Sequence, residues 1–162
     1  MPFKRRRLGK TDYANRLRLL SSKKPRLVLR RSLRYITAQI IEFDKKGDKA
    51  LVTASSKELK KMGWNFACDN LPASYLTGLM IGSKAAKKGI KDVVLDAGLY
   101  LSTKGSRIYA AAKGAMDAGL NIRISEEILP SEERIRGEHI AMQEKFKSLP
   151  QEFEKIREKI KG

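Results

Sequence analysis

Thirteen of the chain's thirty-five Lys and Arg residues crowd into its first thirty-four positions, where Asp12 is the one acid, and such a segment cannot form a core. They are Lys4, Arg5, Arg6, Arg7, Lys10, Arg16, Arg18, Lys23, Lys24, Arg26, Arg30, Arg31 and Arg34, giving that stretch +12 against +5 for the remaining 128 residues. Residues 1–25 have too little apolar surface to offset about 1–2 kcal/mol of backbone entropy per ordered residue. They are expected to form an arm, disordered when free and ordered on a partner. One helical stretch, from Asp12 to Leu20, is expected within it, capped by Thr11 or Asp12.

The globular part must therefore come from residue 26 onward, and 162 residues with 41% hydrophobic content suffice for one domain with extensions. A net charge of +17, so unevenly placed, calls for a polyanion: nucleic acid or an anionic membrane surface. No run of about 18 apolar residues occurs, and no apolar stretch succeeds the basic N-terminus, so the chain reads as cytosolic with no membrane partner. Cys68 and His139 each stand alone. That excludes an internal disulfide, a multi-cysteine zinc site and a histidine metal cluster, and no metal or cofactor is expected.

From Arg26 the pattern turns to period two, Leu27 and Leu29 alternating with Arg26, Val28 and Arg30. A short turn at Arg31-Ser32-Leu33 leads to a second strand from Arg34 to Phe43. Asp44-Lys45-Lys46-Gly47 makes a hairpin into a third, from Lys49 to Ala54. Asn70 and Pro72 open a helix running to Lys88 with Gly89 as its stop, and its small residues Gly78, Gly82, Ala85 and Ala86 predict close approach to a sheet. Val93-Val94-Leu95 reads as a buried strand, followed by an Ala-rich helix from Ser106 to Ala118 and a last strand from Leu120 to Ile124. The last two strands form a βαβ unit and should be parallel. The order βββαβαβ predicts an α/β fold with a mixed five-stranded, ribonuclease-H-like sheet spanning residues 26–125.

Residues 126–162 predict a helical C-terminal extension. Ser131-Glu132-Glu133 supplies a cap and two acids for a helix whose apolar stripe is Ile135, His139, Met142 and Phe146; Leu149-Pro150 then breaks it before a short final helix. Nine acids balance eight bases here, so the tail should dock on protein rather than on phosphate.

The basic residues of the arm and of the Arg30, Arg31, Ser32, Arg34 and Tyr35 edge are the candidate contacts for a polyanion. They lie on an arm and a β-turn, not on one face of a recognition helix, and Tyr13 and Tyr35 stand among them, placed to stack on unpaired bases; RNA is favoured over DNA. Tyr35 equally suits cross-strand packing. Thr11 belongs to Gly9-Lys10-Thr11, which superficially resembles the end of a phosphate-binding loop but lacks the earlier glycine and the preceding strand. Ser102, Thr103, Lys104 and Arg107, in the loop 98–105 and the start of the next helix, form a further candidate anion site. Asp96 ends a central strand, and a metal-dependent nuclease would use it, yet Asp44, Asp48 and Asp92 do not converge with it. No catalysis is expected. Trp64 reads as a loop anchor and His139 as a half-buried packing residue.

Several motifs in order, Arg26-Leu-Val-Leu-Arg-Arg-Ser32, Tyr35-Ile-Thr-Ala-Gln-Ile-Ile41, Thr53-Ala-Ser-Ser56, Gly89-Ile-Lys-Asp-Val-Val-Leu-Asp96 and Ala110 to Gly119, closely resemble the large-subunit ribosomal protein family that binds 5S rRNA, numbered eighteen in the universal scheme. The arm Lys4 to Tyr13 and the tail Pro130 to Ile140 look like its archaeal branch. The resemblance implies a place in the central protuberance of the large ribosomal subunit. It implies that the arm and the Arg30 to Tyr35 edge lie on 5S rRNA, with further contacts to large-subunit rRNA and neighbouring ribosomal proteins, and no enzymatic activity. The loop after Asp96 reads Ala-Gly-Leu-Tyr, without the basic residue that bacterial members tend to show.

Overall fold

The computed structural model describes residues 3–162; Met1 and Pro2, the first positions of the predicted arm, lie outside the described residues. In the arm, α1 (Lys4–Arg7) is one turn and α2 (Tyr13–Ser21) is a true helix. Asp12, not Thr11, caps α2: its side chain accepts from the Ala14 and Asn15 backbone N–H groups at 3.0 and 3.1 Å. The arm lies back on the core, where Arg16 pairs with Asp48 at 2.8 Å.

Strands β1 (Arg26–Arg31), β2 (Ile36–Glu42) and β3 (Lys49–Ser55) form the predicted antiparallel series. The β1–β2 turn is longer than expected, because Ser32 N donates to the Tyr35 carbonyl (2.8 Å) and Tyr35 N to Ser32 Oγ (3.0 Å), which holds residues 32–35 out of the ladder. Helix α3 (Leu71–Lys87) is capped as predicted, Asn70 Oδ1 accepting from Ala73 N at 2.9 Å, and β4 (Val94–Asp96) then pairs parallel with β1. Helix α4 (Arg107–Asp117) completes the helical layer on one face of the sheet.

The sheet is mixed, but it has four strands in the order β3-β2-β1-β4, not five, so the ribonuclease-H-like arrangement is not completed. The predicted strand from Leu120 to Ile124 is reduced to one parallel bridge, Asp92 to Asn121. Its direction is as expected, but the Asp92–Asn121 register is not continued along β4. After Asp96 the chain leaves the sheet, the Asp96 carboxylate accepting from Gly98 N (2.9 Å) and Gly98 taking a left-handed φ of +67°. Leu120 and Ile122 are instead held by burial.

Leu27, Leu29, Ala38, Ile40 and Val52 of the sheet pack with Leu76 and Leu79 of α3 in the core. The small residues of α3 serve a different contact from the predicted one. A Cβ on Gly78 would overlap the Ala111 carbonyl and one on Gly82 the Ala118 methyl, while Gly114 of α4 faces the Tyr75 carbonyl, so this face seats helix on helix rather than helix on sheet. Ala86, assigned to the same face by spacing, is exposed. Trp64 is buried, its Nε1 donating to the Ala67 carbonyl (3.0 Å), as an anchor should be.

The first of the tail's two predicted helices is divided. Helix α5 (Glu132–Arg136) stops at Gly137, whose φ of +81° and contacts with Leu149 and Pro72 admit no side chain, and α6 (Glu138–Ala141) comes next. Ser131 stands at the N-cap of α5 without a side-chain bond. The proposed stripe is therefore split: Ile135 is buried, His139 is exposed rather than half-buried, and Met142 is 83% exposed. The final helix α7 (Leu149–Lys161) is long, not short, with Pro150 in its first turn where a missing N–H is harmless. Its Leu149, Phe153, Ile156 and Ile160 are buried in the core cluster with α3, each contributing about 1.5–3 kcal/mol.

Candidate nucleic-acid interface

Alternation along β1 sends Leu27 and Leu29 to the helices and Arg26, Val28 and Arg30 to the other face, where the arm lies. A charge among apolar strand residues needs partners, and Arg26, 3% exposed, has two: Nη1 donates to Asp96 Oδ2 at 2.7 Å and Nη2 to Asp48 Oδ2 at 2.6 Å. Asp48 also accepts from Arg16, and Asp96 Oδ1 accepts from Arg30 Nη2 at 2.9 Å. A chain of alternating charges, Arg16–Asp48–Arg26–Asp96–Arg30, thus runs from the arm helix through the sheet to its far edge. Burial pushes the Asp96 carboxyl upward, but Arg30, the Gly98 N–H and Arg26 outweigh it and hold it below its ordinary value. Arg26 is accordingly a scaffold residue, withdrawn from the direct contact that the sequence suggested.

Between arm and sheet this network floors an open cavity of about 660 Å³, whose walls include Arg5, Lys10, Tyr13 and Tyr100. Thr11 accepts from Arg5 Nε at 3.0 Å, and Tyr13 stacks obliquely on Phe3 with ring centres 5.3 Å apart. Arg30, with its side chain 44% exposed, offers one edge to this cavity and the other to the Leu29 and Asp96 carbonyls.

At the same end of the sheet, Arg31 lies over the Tyr100 ring, 4.9 Å from its centre, while Tyr100 Oη donates to the Arg31 carbonyl at 2.7 Å. Arg31, Ser32 and Arg34 are exposed, as is Leu33 at 94%. Tyr35 packs against the core, the second of its two readings. The structure thus brings Arg5, Lys10 and Arg30 together around one cavity, with Arg31 beside it on Tyr100. Arg6, Arg7 and Arg18 are exposed on the arm, Lys24 is drawn off to Asp92 at 3.2 Å, and Lys23 adopts a left-handed φ of +55° where α2 ends.

The candidate anion site at the start of α4 is less open than its sequence suggests. Arg107 Nη1 donates to the Asp69 carbonyl at 2.7 Å, the Ser102 and Tyr109 hydroxyls bond each other, and the Thr103 carbonyl accepts from Ser106 N at 3.2 Å. Lys104 stays exposed. Two residues of the interface escaped sequence reasoning. Asp48 was visible only as a turn residue, and its signal was Arg26, a charge on a strand in need of an acid. Tyr100 lay a few residues beyond an expected strand and carried no pattern of its own.

Comparison with known proteins agrees with this basic, arm-bearing α/β architecture. The family model of ribosomal large subunit proteins 60S L5 and 50S L18 matches residues 1–92 and 82–125. The chain is 50% identical over 164 residues to large ribosomal subunit protein uL18 of Methanococcus maripaludis, covering 98% of this chain and 85% of that one. It is 56% identical over 139 residues to the protein of the same name from Korarchaeum cryptofilum, covering 86% and 71%. The chain belongs to this family of ribosomal large subunit proteins, and both of these relatives are archaeal. Its setting is translation on the cytoplasmic ribosome.

Proposed function

We propose that the chain is a structural, non-enzymatic constituent of the large subunit that binds 5S rRNA and attaches it to the central protuberance, with further contacts to large-subunit rRNA and neighbouring ribosomal proteins. The observation that carries this reading is the convergence of Arg5, Lys10 and Arg16 of the arm with Arg30 around one cavity, beside which Arg31 lies over the Tyr100 ring. Exposed Arg and Lys neutralise phosphates and fix register, while the aromatic faces of Tyr13 and Tyr100 suit unpaired bases. Labour divides into an arm (1–25) that grips RNA, a core (26–125) that presents the sheet edge, and an extension (126–162) that braces α3.

A nuclease reading has no support in the geometry, since the Asp96 oxygens are engaged by Arg26, Arg30 and Gly98 N. The test is competition: the full chain should prefer 5S rRNA over unrelated RNA of equal length, and Arg31→Ala and Arg34→Ala should each weaken that binding. Equal affinity for both RNAs would make it a general RNA binder, and a null result for both variants would move the site.

A further inference from the structure

The sheet is bounded by two strands of unequal length. β4 has three residues, too few for a further strand to grip, whereas β3 has seven along the outer side of the order β3-β2-β1-β4. Residues 50–56 read Ala-Leu-Val-Thr-Ala-Ser-Ser, with no charge, proline or glycine among them. A stretch of that composition on a sheet edge is a template for another strand. The readiest one is the same edge of a second copy, laid antiparallel about a twofold axis.

Side chains already occupy this edge. Lys88 Nζ donates to the Leu51 carbonyl at 2.5 Å, Lys84 Nζ donates to the Thr53 carbonyl at 3.0 Å, and Ser55 N donates to Glu58 Oε1 at 2.9 Å. Lys84 also pairs with Glu58 Oε2 at 2.8 Å, which joins the three contacts in one row. Leu51, Thr53 and Ser55 are alternate residues of β3, and these backbone groups bond side chains of α3 and of the following 3-10 turn instead of β2. The spacing matches: Lys84 and Lys88 stand four residues apart, about 6 Å of helical rise, and two residues of strand span about 7 Å. The register shift between Ile40 and Ile41 leaves Leu51 without a partner on β2, a bulge that further disrupts the same edge. An ordinary surface lysine turns its ammonium to water, yet both of these turn to main-chain oxygen. Among the described residues, the neighbouring Lys87 and Lys91 side chains bond no β3 carbonyl.

We propose that Lys84 and Lys88 are edge caps: they occupy the outward carbonyls of β3, so that the free chain does not pair edge to edge with a second copy. This role concerns self-association and stands apart from the reading of the arm as an RNA grip.

The test uses the full chain, free of RNA, with Lys84→Ala and Lys88→Ala together, substitutions that favour the helix carrying them. Sedimentation velocity over a concentration series should show the double variant dimerising at least about tenfold more tightly than wild type. Deuterium exchange at the Leu51 and Thr53 amides should slow as its concentration rises. Lys87→Ala with Lys91→Ala removes the same charge and should associate no more than wild type. A double variant that associates no more than wild type, a control pair that associates equally, or association without concentration-dependent protection at Leu51 and Thr53 overturns the proposal. Far-UV circular dichroism checks the fold. If the double variant loses helix, Lys88→Ala alone, at an exposed position, goes through the same measurements and is decided by the same outcomes.

Discussion

Arg26 and Asp96 face each other at 2.7 Å across the parallel β1–β4 pair, both buried, and between them they join the arm, the sheet and the Arg30 edge. Removing one member of such a pair leaves the other charged, desolvated and short of a partner. Arg26→Ala should cost about 3 kcal/mol, read as a lower urea midpoint at unchanged m, whereas exposed Arg34→Ala should leave stability within about 0.5 kcal/mol.

The same pair sets an acid limit. Because the Asp96 carboxyl sits below its ordinary value in the fold, it binds a proton more weakly there than in the unfolded chain. Its contribution is complete above about pH 4, the ordinary carboxylate range, and is lost as pH falls through the lower folded value. Urea midpoints measured from pH 6 downward should fall below about pH 4, and Asp96→Asn should flatten that limb while lowering stability at neutral pH.

Gly78→Ala and Gly114→Ala should each be severe, because the added methyl meets backbone on the facing helix and neither helix can retreat without opening the core. A loss of at least about 3 kcal/mol is expected by denaturation, against less than about 0.5 kcal/mol for Ala86→Ser on the exposed side of α3.

Phe153→Ala should cost about 3–4 kcal/mol, since its ring is buried against Tyr75, 5.7 Å between centres, and holds α7 to α3. Limited proteolysis should then cut within residues 141–148 before the core is attacked.

The features legible in the sequence obeyed local rules. Asn70 and Pro72 marked the start of α3, Asp44 to Gly47 marked a hairpin, and the alternation at Leu27 and Leu29 marked a half-buried strand. Those that were not legible depended on contacts between distant segments. Gly78 and Gly82 looked like a face for a sheet because spacing alone does not name the partner, and Gly137 broke a helix because Leu149 and Pro72 occupy the space a side chain would need. Arg26 looked like one more cation of the arm until Asp48 and Asp96, 22 and 70 positions on, closed around it. The residues of the basic arm were plain from charge alone; Tyr100 and the direction of Arg31 needed the fold.

The salt dependence of 5S rRNA binding tests the central claim most directly. In the full chain with Arg5, Arg6, Arg7 and Lys10 all changed to Gln, the slope of log affinity against log salt should become shallower by about 3, with affinity falling at least about a hundredfold near 0.1 M salt. An unchanged slope and affinity would contradict the account, because the arm would then touch no phosphate.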